Sequence, residues 1–189
     1  MLNIKRIIIM VLAVTGLMIL SAGQVAYAGE RSCSGTLGSI TVDNLRVPQG
    51  KTCTLNGTYV KGTIKVERNA TLHAKGVRVV GNVQAENAKQ VNVTGGSRVG
   101  GSVQVKQGGG ASILGSRING DIQFDANKTY LKANNNTVGG NIQVVSNTGG
   151  VQISKNTVDG NLQCKQNNPA PTGGNNIVKG SKEDQCRRL

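Results

Sequence analysis

Val99-Gly100-Gly101-Ser102-Val103-Gln104-Val105 and Val138-Gly139-Gly140-Asn141-Ile142-Gln143-Val144 are one phrase written twice. The second glycine of the phrase returns along the chain as Gly62, Gly81, Gly101, Gly120, Gly140, Gly160 and Gly180, at intervals of 19 or 20 residues. A fixed period near 20 means that one structural unit is repeated, and such a unit buries its apolar face only by stacking on its neighbours.

Alignment on the glycines resolves columns. Two residues before the glycine stand Val60, Val79, Val99, Ile118, Val138, Val158 and Val178; two after it stand Ile64, Val83, Val103, Ile122, Ile142, Leu162 and finally Lys182. Four after it come Val66, Ala85, Val105, Phe124, Val144 and Cys164. Apolar and polar positions alternate, the period-two pattern of strands with one buried face. A further apolar pair recurs mid-repeat: Leu72/Ala74, Val91/Val93, Ala111/Ile113, Leu131/Ala133 and Val151/Ile153. Asn, Gly and Ser clusters between the strands, such as Asn134-Asn135-Asn136 and Asn147-Thr148-Gly149-Gly150, read as turns.

Like segments recurring once per repeat stack in parallel about 4.8 Å apart, so seven coils predict an all-β rod roughly 34 Å long. This is a single-stranded parallel β-helix. Right-handed winding is expected, because the strict six-residue step of a left-handed hexapeptide helix is missing; a propeller blade would need about 40 residues.

Residues 1–28 stand apart from the repeats. Lys5 and Arg6 precede the apolar run from Ile7 to Leu20, and Ala26-Tyr27-Ala28 follows. A basic start, a short apolar run and a small-x-small site read as a secretory signal cut after Ala28, not as a membrane span. No second apolar run follows, so no transmembrane segment is expected after cleavage. The expected organisation is a signal peptide over 1–28, an N-terminal cap over 29–58, repeats over 59–164, and a last coil with C-terminal cap over 165–189. The location follows: secreted, periplasmic or at the cell envelope.

Without Lys5 and Arg6, 20 basic residues remain against 9 acidic ones, a charge of about +11. That balance favours anionic partners, acidic polysaccharide or another anionic surface. Only Tyr59, Phe124 and Tyr130 are aromatic beyond residue 28, which disfavours stacking of single-stranded nucleic acid and leaves the core to Val, Ile, Leu and Ala. Cys33, Cys53, Cys164 and Cys186 form two clusters at opposite ends of the array. Three pairings are possible; the array separates the clusters, so Cys33 with Cys53 and Cys164 with Cys186 is the expected one. Zinc is disfavoured, since there is no CxxC and His73 is the sole histidine.

Two outward columns carry side-chain information. Three residues after the glycine stand Gln84, Gln104, Gln123, Gln143 and Gln163, preceded by Lys65 and followed by Glu183. Stacked amides hydrogen-bond along such a column, so a structural ladder is expected. Three before the glycine stand Tyr59, Arg78, Arg98, Arg117, Thr137 and Thr157. Three arginines about 5 Å apart repel unless anions lie between them, and guanidinium is shaped for carboxylate, sulfate or phosphate. Arg78, Arg98 and Arg117 are therefore the candidate ligand-binding residues.

Catalytic candidates are lacking. Polysaccharide-cleaving β-helices need clustered carboxylates, whereas Asp121, Asp125 and Asp159 share no column and the column of Glu67 and Glu86 continues with Lys106. No catalytic residue, metal ligand or cofactor is expected. Asn-x-Thr sequons at Asn56, Asn69, Asn92, Asn127 and Asn135 read as by-products of an Asn- and Thr-rich repeat.

Val47-Pro48-Gln49-Gly50-Lys51-Thr52-Cys53-Thr54-Leu55-Asn56-Gly57, with Val60-Lys61-Gly62 after it, and Gly160-Asn161-Leu162-Gln163-Cys164-Lys165, Asn168-Pro169-Ala170-Pro171-Thr172-Gly173 and Lys182-Glu183-Asp184-Gln185-Cys186 resemble a group of small secreted bacterial repeat proteins of unknown function. The resemblance spans the chain beyond residue 28. It implies a secreted β-helix with cysteine-bearing caps and no particular activity. The sequence thus points to an exported non-enzymatic β-helix that binds or scaffolds anionic polymers at the cell envelope. The alternatives are a self-assembling structural β-solenoid and a polysaccharide-active lyase or hydrolase.

Overall fold

The computed structural model describes residues 29–189; the expected signal peptide lies outside the described residues. Each repeat is one coil of a β-solenoid of about seven turns, and among the described residues there is no helix.

A coil contributes one strand to each of three parallel sheets. The first sheet has nine strands, from Glu30–Ser32 through Val103–Lys106 to Lys182–Asp184; the second has eight, from Thr36–Leu37 to Thr172–Gly174. The third has eight short strands, from Thr41–Val42 through Arg98–Val99 to Ile177–Val178. Register follows the repeat arithmetic: Val83, Val103, Ile122 and Ile142 are successive partners in the first sheet. Both cysteine-bearing segments join the same sheets, so the stacking runs without a break from residue 30 to residue 184.

Five apolar columns fill the interior, two from each longer-stranded sheet and one from the third. Their members from Ile64 to Leu162 are buried, with Phe124 among the largest. Aliphatic side chains and one phenyl ring fill these columns, and each residue has its column neighbours in the adjacent coils. Phe124 stands between Val105 and Val144.

Close approach, not unusual dihedrals, explains the repeat glycine. None of the seven has a positive φ. Gly62 lies on the Asp43 carbonyl and each of the other six on the glycine of the preceding coil: Gly81 N–H donates to the Gly62 carbonyl at 2.9 Å and Gly101 to that of Gly81 at 2.9 Å. A Cβ on Gly81 would fall 2.7 Å from the Gly62 oxygen, which no side chain tolerates.

The next residue continues the stack. Asn44, Thr63, Asn82, Ser102, Asp121, Asn141, Asn161 and Ser181 form a ladder in which each side-chain oxygen accepts the backbone N–H of its successor, at 2.6–3.2 Å. This satisfies corner amides that the sheets leave unpaired.

Candidate functional site

The Asn clusters expected only as turn material do more than turn. From Gly57 to Asn175 a residue with φ near +55° to +70° reverses the chain at two corners of the coil, and the residue after it is buried. Asn127, Asn147 and Asn167 follow Ala126, Ser146 and Gln166 at one corner; Asn136, Asn156 and Asn176 follow Asn135, Lys155 and Asn175 at the other. Asn147 Oδ1 accepts the N–H of Asn127 at 2.9 Å and its Nδ2 at 3.0 Å, while Asn147 Nδ2 donates to the Phe124 carbonyl at 3.0 Å. Asn156 serves Asn136 and the Ala133 carbonyl in the same way. Gln185 closes the first ladder by accepting from Asn167 at 2.9 and 3.0 Å. Sequence reasoning missed both ladders, although the 20-residue spacing of these asparagines was their signal. Burial also closes Asn127 to glycosylation in the folded chain.

Along the outside of the first sheet the glutamines stand in register and bond in sequence. Gln84 Nε2 donates to Gln104 Oε1 at 3.3 Å, Gln104 to Gln123 at 2.9 Å, Gln123 to Gln143 at 3.2 Å and Gln143 to Gln163 at 3.3 Å. Gln163 then donates to the Glu183 carboxylate at 2.9 Å. A carboxylate accepts only, which sets the direction of the ladder. At the opposite end Lys65 stands beside Gln84, so a cation faces the acceptor end and an anion terminates the donor end.

Two disulfides, Cys33–Cys53 and Cys164–Cys186, close loops of one coil at opposite ends of the rod, and no described cysteine is free. Bonds of this kind persist in oxidising compartments and fit an extracellular or periplasmic location.

The third sheet presents Arg98 directly between Arg78 and Arg117. All three are exposed. The four ion pairs among the described residues are Arg46–Glu30, Arg46–Glu67, Lys61–Asp43 and Lys179–Asp159, so none engages this stripe. The Arg78 guanidinium lies 5.2 Å from the centre of the Tyr59 ring, a cation–π contact that fixes one end of the row. Strand alternation makes the residue two positions on face outward as well. Val80, Gly100 and Asn119 therefore run beside the arginines, and with them line a shallow groove that contains no carboxylate.

The carboxylates lie elsewhere and are engaged or isolated. Asp121 belongs to the corner ladder, accepting Asn141 N–H at 2.6 Å. Glu67 receives Arg46 and the N–H of Gln49. Lys106 stands in register between Glu86 and Asp125. Among the described residues no three His, Cys, Asp or Glu side chains converge, and His73 meets only the amide of Asn92, at 2.9 Å. The arrangement offers a row of fixed positive charge rather than a nucleophile with its base.

No family model, no curated protein and no solved structure matches the chain, so the reading of the site rests on its own geometry.

Proposed function

We propose that this protein is an exported, non-enzymatic β-solenoid that binds or scaffolds anionic polymers at the cell envelope, acidic polysaccharide foremost. The observation that supports this reading is the stripe of Arg78, Arg98 and Arg117: in register, exposed and free of any carboxylate partner. Three guanidinium groups in adjacent strands destabilise the fold by mutual repulsion, and bound anions reverse the sign of that term. The cleavable leader expected over 1–28 and the two disulfides support export.

The self-assembling alternative requires open strand edges at both ends. The last coil ends in a turn in which Cys186 N–H donates to the Glu183 carbonyl and Leu189 N–H to that of Cys186, with Cys186 buried and Leu189 packed on the core. That turn counts against end-to-end stacking beside the first sheet, while Thr172–Gly174 and Ile177–Val178 stay the outermost strands of the other two sheets.

The test compares two triple variants in binding to polygalacturonate at low salt. Changing Arg78, Arg98 and Arg117 to Gln is expected to abolish most of the affinity. Changing Lys128, Lys132 and Lys155 to Gln removes the same charge elsewhere and is expected to leave most of it. Raising the salt should weaken wild-type binding steeply, since exposed charges are screened within about 8 Å at physiological ionic strength. Equal losses in the two variants would reduce the stripe to its share of net charge. No binding by wild type at low salt would overturn the reading in favour of a purely structural solenoid.

A further inference from the structure

Resting on the anion-binding reading of the stripe, we infer that its Arg98–Arg117 end takes a phosphate group carrying two negative charges, free or as the monoester of a larger molecule, with Asn119 as a third donor. Arg78, Arg98 and Arg117 are successive register partners, so they offer two gaps, each one strand step of about 4.8 Å at the backbone. The two gaps are not equivalent.

On the Arg78 side the guanidinium lies against the Tyr59 ring, 5.2 Å from its centre. The outward residue beside it is Val80, 49% exposed, whose side chain has no polar atom. On the Arg117 side the outward residue is Asn119, also exposed. The sheet holds its place: Arg117 N–H donates to the Ser97 carbonyl at 2.9 Å and Asn119 N–H to that of Val99 at 2.9 Å, so both side chains leave the same face. Between Val80 and Asn119 stands Gly100, with no side chain to fill the space beside Arg98. Two guanidinium forks and one carboxamide thus border the same part of the groove, and none of its lining residues is acidic.

Charge and shape select the ligand. Arg98 and Arg117 stay ionised throughout the physiological range, and they repel one another. A carboxylate brings one charge and two oxygens, enough for a single fork. A phosphate monoester brings close to two charges and three acceptor oxygens at about pH 7. It balances both arginines, and its oxygens suffice for both forks and the Asn119 amide. Its second proton leaves at about pH 6, so occupancy rises as the pH passes upward through that value while the arginines do not change.

The test titrates the purified protein calorimetrically with inorganic phosphate, glycerol phosphate, sulfate and galacturonate, at low salt and about pH 7.5. Phosphate should bind about tenfold more tightly than galacturonate. Binding of glycerol phosphate alongside the free ion extends the site to monoesters; binding of inorganic phosphate alone assigns it to the free ion. Arg98→Gln and Arg117→Gln should each weaken phosphate about tenfold, and Arg78→Gln, which removes the same charge, less than about threefold. Asn119→Ala removes no charge and should weaken phosphate about threefold, the worth of one hydrogen bond. Lowering the pH to about 5 should weaken the phosphates about tenfold and leave sulfate, which stays doubly charged, unchanged.

Equal losses in Arg78→Gln and Arg117→Gln, or full affinity in Asn119→Ala, would overturn the site at this end of the stripe. Phosphate binding no better than galacturonate would overturn the choice of ligand. Polygalacturonate bound through the stripe with no binding of phosphate would overturn the inference and leave the anion-binding reading intact. Absence of binding by every probe at low salt would overturn both.

Discussion

The two halves of the rod share one backbone and differ in what they place at its corners. Before Gly120 the inward corner positions are Ala70, Ala88 and Gly108 on one edge and Thr58, Val77, Ser97 and Ser116 on the other; after it they are Asn127, Asn147 and Asn167, and Asn136, Asn156 and Asn176. On the third sheet's outer face the exchange runs the other way: Arg78, Arg98 and Arg117 give way to Thr137, Thr157 and Ile177. The C-terminal half is thus held by buried amide ladders and carries a neutral outer column. The N-terminal half lacks those ladders and carries the repelling charges. Stability and the candidate site occupy different coils of one repeat, which is possible because inward and outward columns vary independently in a solenoid.

The largest break in this comparison is Asn147→Leu. It removes the acceptor of the Asn127 N–H and Nδ2 and the side-chain donor to the Phe124 carbonyl, all buried, and leaves Asn167 Oδ1 with only the backbone N–H of residue 147. A loss of about 4 kcal/mol is expected, since each buried polar group left unpaired costs about 1–3 kcal/mol. Replacing Ala88, the matching position without a ladder, by Gly should cost far less. Equilibrium denaturation measures both, and equal losses would mean that the ladder adds nothing to packing.

Reduction should separate the halves next. Each disulfide closes a loop of about one coil and contributes roughly 3 kcal/mol in the chain-entropy model. The C-terminal end keeps its amide ladder through Gln185 when Cys164–Cys186 is opened; the N-terminal end has no equivalent behind Cys33–Cys53. Hydrogen exchange after reduction should therefore accelerate most over residues 30–56 and least over 99–145. Faster opening at the C-terminal end would reverse the assignment of stability to the ladders.

Gln123→Glu tests the external ladder that both halves share. The carboxylate still accepts from Gln104 but has nothing to donate to Gln143, and it stands beside Asp121. A loss of about 1–2 kcal/mol is expected, against little change for exposed Gln166→Glu. Identical midpoints in denaturant would show that the ladder carries no net stability.

The smallest effect sharpens the comparison by moving its boundary. Ser116 already donates to the Val93 carbonyl as Asn136 does to Ile113. Ser116→Asn should extend the second ladder by one rung and gain about 1 kcal/mol, the net worth of an added hydrogen bond. A destabilised variant would mean that the N-terminal corner is too tight for the amide.

Parallel stacking with a constant repeat turns spacing in the chain into adjacency in space. That is why the fold and the Gln84–Gln163 and Arg78–Arg117 columns are legible in the sequence: residues 19 or 20 apart share a column whatever the details of the turns. The direction of side chains at the corners follows no such rule. Strand alternation ends at a residue of positive φ, and only the coil's path places Asn127 inside while neighbouring Lys128 stays exposed. The reason for the repeat glycine was hidden likewise. Its period appears in the sequence, but the carbonyl that leaves no room for a Cβ belongs to the coil below. Composition supplied the positive charge of the chain, while its unpaired state depended on where nine acidic residues fell around the rod. The sequence by itself therefore determined the period, the stacking and the membership of each column, because these depend only on counting along the chain. Tertiary structure alone decided which corner amides are buried and which arginines are free, because both depend on distances between coils.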